Sequence, residues 1–139
     1  MLKNEHVLVT GGGGSIGSEL VRQLSVDNKV YILDNNETAY FDLLEELLQK
    51  GRQVFGKVGD IRDEKVLESI EREFGYPTLI FHCAALKHVT PSEWNPIEVV
   101  KTNILGTYNV LNYAKKHGCR LVNISTDKVI HSNSIMGAT

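Results

Sequence analysis

The 139-residue chain is poor in cysteine (two), proline (three) and tryptophan (one), and each scarcity excludes something. Cys83 and Cys119 stand far apart with no C-x-x-C pair, which rules against a disulfide framework and a zinc-binding pattern. Both are expected reduced and buried, in a cytoplasmic protein. No apolar run approaches the ~20 residues of a membrane span, and no leader-like segment precedes Val7. A net charge of −2 gives no field to attract nucleic acid or an anionic membrane surface. Linkers, repeats and low-complexity stretches are missing too, so residues 1–139 read as a single domain. Hydrophobic content of 42% is enough for one real core in a chain of this length.

Glycine is not scarce, and it is concentrated where it matters. Val7-Leu8-Val9-Thr10 breaks into Gly11-Gly12-Gly13-Gly14-Ser15-Ile16-Gly17, after which apolar residues resume at helical spacing. This reads as a strand, a tight turn and a helix N-terminus, where unpaired N–H groups and a partial positive charge favour a phosphate. In T-G-x-x-G-x-x-G, Gly11 makes the turn, Gly14 lets a pyrophosphate near, and Gly17 lets the helix pack against the strand; Ser15 and Ile16 lie between. The next strand, Val30 to Leu33, ends in Asp34, roughly 20 residues on, where a carboxylate meets a ribose 2′-hydroxyl. A carboxylate there repels a 2′-phosphate, so NAD is favoured over NADP. The rival G-x-x-x-x-G-K-[ST] phosphate loop fails for want of its lysine.

Strand and helix patterns alternate along the chain, which predicts an α/β Rossmann-type, doubly wound parallel sheet in the order 3-2-1-4-5. The expected strands are His6–Thr10, Lys29–Asp34, Gln53–Val58, Thr78–His82 and Arg120–Ile124. Between them come helices from Ser15 to about Val26, from a cap at Asn36 to Gly51, from a cap at Asp63 to Gly75, and from about Ile97 to Lys116. Tyr40, Phe41, Leu44, Leu47 and Leu48 are expected in the core, as are Val100, Ile104, Thr107, Val110, Leu111 and Tyr113. Pro91 and Pro96 bracket a loop or first helical turn, and His131–Thr139 ends without a closing helix.

Several residues fall at strand carboxyl ends, where such sheets bind ligands. Asp60 offers an acceptor to an adenine amino group, with Ile61 packing on the ring; a solvated turn aspartate is the equal alternative. Ala84 and Ala85 leave room for a flat ligand, and Lys87 stands beside them. Asn103, a poor helix former inside a helical pattern, implies a hydrogen-bonding duty. Ser125-Thr126-Asp127-Lys128 assembles hydroxyls, a carboxylate and an amine of the kind proton transfer requires, or else a turn cluster. His82, Cys83 and His88 are too few for a metal site, and none is expected. His6, His117 and His131 are isolated and read as surface or structural.

Beyond these readings, the opening glycine segment resembles that of the extended short-chain dehydrogenase/reductases. Gly59-Asp60-Ile61-Arg62-Asp63, Ala84-Ala85-Leu86-Lys87-His88-Val89, Lys101-Thr102-Asn103-Ile104-Leu105-Gly106-Thr107, Ser125-Thr126-Asp127-Lys128 and Met136-Gly137-Ala138-Thr139 resemble the polysaccharide-biosynthesis branch of nucleotide-sugar 4,6-dehydratases. The resemblance implies oxidation of a UDP-N-acetylglucosamine C-4 hydroxyl with NAD(P), loss of water across C-5 and C-6, and return of the hydride to C-6. It places Gly11, Gly14, Ser15, Ile16 and Gly17 at the pyrophosphate, Asp34 at the ribose, and Asp60 and Ile61 at adenine. Ala84, Ala85, Lys87 and Asn103 would line the cofactor path. Thr126 would sit beside the reacting hydroxyl, Asp127 act as acid to the leaving C-6 hydroxyl, and Lys128 as base at C-5. A UDP-sugar substrate and a homo-oligomer are expected, with no nucleic-acid partner.

Three departures stand out. Met136 occupies the position of the superfamily's proton-transferring tyrosine, and a thioether cannot do acid–base work. Val129-Ile130-His131-Ser132-Asn133 lacks the proline usual in the family. The 139 residues stop one short of the motif's lysine and lack the sugar-binding part, so little turnover is expected of them alone. A nucleotide-sugar epimerase and a non-catalytic dinucleotide-binding module are the alternatives.

Overall fold

The computed structural model describes residues 2–130 and 132–139, so His131 lies outside the described residues. Five strands, β1 (His6–Thr10), β2 (Lys29–Asp34), β3 (Val54–Val58), β4 (Leu79–His82) and β5 (Arg120–Asn123), form one sheet in the order β3-β2-β1-β4-β5. All four pairings are parallel, with Val7 opposite Val30 on one side and Leu79 on the other. The Rossmann-type topology expected from the alternating pattern is therefore present, and element ends fall within a residue or two of expectation.

The reason lies in the strand sequences. β1 and β2 are almost continuously apolar because both of their faces are covered, as parallel strands require. Val7, Val9, Val30 and Ile32 point to one face, where α1 (Ser15–Leu24) and α2 (Glu37–Gln49) contribute Val21, Leu43 and Leu47. Leu8, Tyr31, Leu33 and Ile80 point to the other, against Leu67 and Ile70 of α3 (Glu64–Phe74) and Val110 of α6 (Thr107–His117). Each such side chain, fully buried, contributes about 1.5–3 kcal/mol. Asn36 caps α2 by accepting from Ala39 N–H at 3.1 Å, and Asp63 caps α3 by accepting from Lys65 N–H at 3.0 Å.

Some expectations are corrected. Phe41 and Leu48 are exposed on the outer face of α2, while Leu43 and Leu47 form the buried stripe. The single helix expected from Ile97 is instead α4 (Val89–Trp94), α5 (Pro96–Val99), a π-helical segment Val100–Gly106, and then α6. The wider π turn re-phases the pattern, so Ile104 and Leu111 face outward while Val110 and Tyr113 remain inside. The segment before Thr139 does close in a helical turn, α7 (Ile135–Ala138). Ser134 Oγ accepts from Gly137 N–H at 3.1 Å, and Glu93 of α4 accepts from Ile135 N–H at 2.8 Å. Cys83 and Cys119 are free but only half-buried. His6 packs edge-on to Tyr31, and His117 lies against Tyr113 with Nε2 3.3 Å from Glu71.

Candidate functional site

The glycine turn carries the site. Gly11 has φ +66°, and a Cβ there would meet the backbone of Cys83 and Ala84. Gly17 packs so closely on the Gly11 carbonyl that no side chain fits between them. The turn is thereby pressed between β4 and the first turn of α1. No side chain caps α1 at Gly14, and the first N–H groups of a helix have no acceptor within it. Gly11, Gly13, Gly14, Ser15, Ile16 and Gly17 border a cavity of about 270 Å³.

Asp34 borders the same cavity from the end of β2 and is 9% exposed. Its Oδ2 accepts from Gly13 N–H and its Oδ1 from Asn36 N–H, both at 2.8 Å. A carboxylate has about four acceptor positions, so these two bonds fix its orientation and leave acceptor capacity for a ligand hydroxyl. The residue therefore both shapes the glycine turn and presents charge to the cavity.

Asp60 and Ile61 line the far end of this cavity. Ile61 is largely a core residue, buried among Leu8 and Leu67. Asp60 is held by Arg62, through the backbone N–H at 2.9 Å and through Nε at 2.8 Å. Burial pushes its carboxyl up, but the Arg62 bonds prevail and hold it below the usual aspartate range. Arg62 also pairs with Glu98, so the acceptor offered to adenine is mostly occupied within the protein.

A second cavity, about 390 Å³, opens beside the first. Ile16, Cys83, Ala84, Ala85 and Lys87 border both cavities, making a common wall. Asn103 belongs to the second cavity, and its amide clamps the loop after β4. Its Oδ1 accepts from Leu86 N–H at 2.8 Å, while Nδ2 donates to the Leu86 carbonyl at 3.1 Å and to Thr139 Oγ1 at 3.2 Å. That is the hydrogen-bonding duty expected of an asparagine in a helix.

Thr126, Lys128, buried Met136 and Thr139 also line the second cavity, as do His82 and Thr107. Thr126 starts a 3-10 turn, Asp127–Val129, by accepting from Lys128 N–H at 3.3 Å. Asp127 is not part of the cavity wall; its side chain is 87% exposed, with Oδ1 3.7 Å from Lys128 Nζ. The structure thus brings Thr126 and Lys128 together with the common wall and leaves the Asp127 carboxylate outside it. Burial pushes the Cys83 thiol up to about 11, so this half-buried wall residue is no thiolate near neutrality. Among the described residues no group of three or more His, Cys, Asp or Glu side chains is placed to hold a metal ion.

One feature escaped sequence reasoning. His82, at the end of β4, bridges Thr10 Oγ1 at 2.6 Å and Thr107 Oγ1 at 2.9 Å. Burial pushes this imidazole down to about 4, so it is neutral near pH 7. Its place at a strand carboxyl end was the available signal; the two threonines, 72 and 25 residues distant, were not.

Comparison with known proteins gives a consistent result. A family described as polysaccharide biosynthesis protein matches residues 7–139. An uncharacterized membrane protein of Methanocaldococcus jannaschii is 42% identical over 99% of this chain and 40% of its own length. A UDP-N-acetylglucosamine 4,6-dehydratase (inverting) of Campylobacter jejuni is 32% identical over 100% of this chain and 41% of its own. The solved UDP-glucose 4-epimerase of Thermus thermophilus in complex with NAD superposes with a TM-score of 0.71 at 34% identity, covering 84% of this chain and 36% of the epimerase. The chain thus spans well under half the length of the curated relatives it matches. No helix among the described residues is long and apolar enough to cross a membrane. With the glycine turn, the sheet order and the family match in agreement, the chain belongs to the polysaccharide biosynthesis protein family of extended short-chain dehydrogenase/reductases.

Proposed function

We propose that the chain is the NAD-binding part of a nucleotide-sugar 4,6-dehydratase that acts on UDP-N-acetylglucosamine in surface polysaccharide biosynthesis. The observation that carries this reading is the meeting of the uncapped α1 N-terminus and the Asp34 carboxylate at one cavity. Donors for a pyrophosphate and an acceptor for a ribose hydroxyl stand on the same wall, as a dinucleotide requires. NAD, when bound, supplies the hydride acceptor and donor.

The remaining roles belong to the chain's own residues. Gly14, Ser15 and Ile16 would present N–H groups to the pyrophosphate, and Asp34 would favour NAD over NADP by charge. Ala84, Ala85 and Lys87, at the wall common to both cavities, would let the ligand pass from one to the other. Thr126 and Lys128 line the sugar side, where Lys128 would take the C-5 proton. Asp127 would serve as acid to the C-6 hydroxyl by turning inward from its exposed position. Met136 moves no proton, so the C-4 hydroxyl proton must leave by another group of that wall or by water.

Thermal-shift titrations with NAD, NADP and UDP-N-acetylglucosamine test this. A ligand at 100 times its Kd stabilises by about 2.7 kcal/mol, and NAD should exceed NADP. No response to either dinucleotide would end the reading. The resemblance to an NAD-bound epimerase keeps a second reading open. Because the chain spans about 40% of the curated relatives' length, the product test uses a protein of their full length that contains it. Mass spectrometry of UDP-N-acetylglucosamine then shows loss of the mass of water on dehydration and no change on epimerisation.

A further inference from the structure

Thr10 sits at the end of β1, directly before the glycine turn, and is wholly buried. The one hydrogen-bond partner of its hydroxyl among the described residues is His82 Nδ1. A buried O–H without an acceptor is costly, so Thr10 donates and Nδ1 accepts. A neutral imidazole carries one proton, which this places on Nε2. His82 Nε2–H therefore donates to Thr107 Oγ1. The Thr107 hydroxyl proton is left to point elsewhere, and among the described residues it reaches no backbone carbonyl. Thr107 opens α6 where the π segment ends, and it lines the second cavity.

We propose that Thr107 is a ligand-binding residue, whose hydroxyl, oriented by His82, donates to a carbonyl oxygen on the nicotinamide side of a bound dinucleotide. The assignment rests on the NAD reading above. His82 is the positioning residue: its ring, 2% exposed, fixes the direction of the hydrogen-bond chain from Thr10 to Thr107. A ring held neutral by burial suits a fixed relay of hydrogen bonds better than proton uptake.

NADH and ADP-ribose separate the two cavities, because ADP-ribose lacks the nicotinamide. Affinities for both are measured by calorimetry on the unmodified chain and on Thr107→Val, Thr107→Ser and His82→Phe. Thr107→Val should weaken NADH roughly five-fold and leave ADP-ribose within about two-fold. Thr107→Ser should restore the NADH affinity, and His82→Phe should repeat the loss. Retained ADP-ribose binding doubles as the check that each variant is folded. Thr107→Val with an unchanged ratio of NADH to ADP-ribose affinity, or with both ligands weakened equally, overturns the role of Thr107 while the dinucleotide reading stands. If the unmodified chain binds neither ligand, the dinucleotide reading fails and this assignment falls with it.

Discussion

The two aspartates at strand ends on opposite sides of the sheet are built differently. Asp34, 9% exposed, is locked by two backbone N–H groups and helps hold the glycine turn. Asp127, with a side chain 87% exposed, touches little beyond its neighbours Thr126 and Lys128. The strands that deliver them differ alike: β2 is buried between two neighbours, while β5 is the sheet edge, with Val122 and Asn123 exposed. The cofactor side is therefore preorganised by the core itself, whereas the sugar side is a rim whose groups are not fixed by packing. Binding geometry is cheap to hold where the strand is central and expensive where it is marginal.

The sharpest way to break that contrast is to insert a side chain at Gly17, where the Gly11 carbonyl blocks any Cβ. Gly17→Val should cost about 3 kcal/mol or more in chemical unfolding and abolish dinucleotide binding. Acid titration comes next. The folded His82 titrates at about 4, below its unfolded value of 6.5, so the unfolded chain binds the proton first. Its contribution is fully present above pH 6.5 and is lost as pH falls toward 4, by about 3 kcal/mol at most. His82→Phe should flatten that part of the stability profile, read as Tm against pH, relative to the unmodified chain. Glu46, held down to about 2 by Arg22 and Lys50, adds a loss in the same direction as pH falls from 4.5 toward 2, and it is common to both proteins.

Asp34→Ala removes two bonds to a charged acceptor and should cost about 2 kcal/mol, with NAD and NADP responses drawing closer. At the other end of the scale, Asp127→Asn should change stability by less than about 0.5 kcal/mol, because an exposed side chain near one lysine contributes little. A large loss of stability there would show that the rim is packed after all.

The sequence was most readable where the structure is most local. The glycine turn, Asp34 and the buried strands β1 and β2 follow from residues adjacent in the chain, and so does the sheet order that alternation implies. Asn103 was legible as a misfit inside a helical pattern, though not its partners at Leu86 and Thr139. The π segment was hidden because seven residues do not distinguish its period from that of an α-helix. The Thr10–His82–Thr107 chain was hidden because it is made of contacts that only the folded sheet brings together. Asp127 was singled out from its place in Ser125-Thr126-Asp127-Lys128 and given its acid role by the resemblance, while its exposed orientation depends on packing that neither reveals.

The π segment constrains how this protein tolerates changes in length. A π turn carries one residue more than an α turn, so deleting one residue between Val100 and Gly106 would convert the bulge to regular α-helix and leave the helix beyond it nearly in phase. Asn103, inside the bulge, would be re-aimed away from Leu86, while Thr107 beyond it would keep His82. The extra residue is thus the device that turns Asn103 toward the wall of the site without moving the helix that follows.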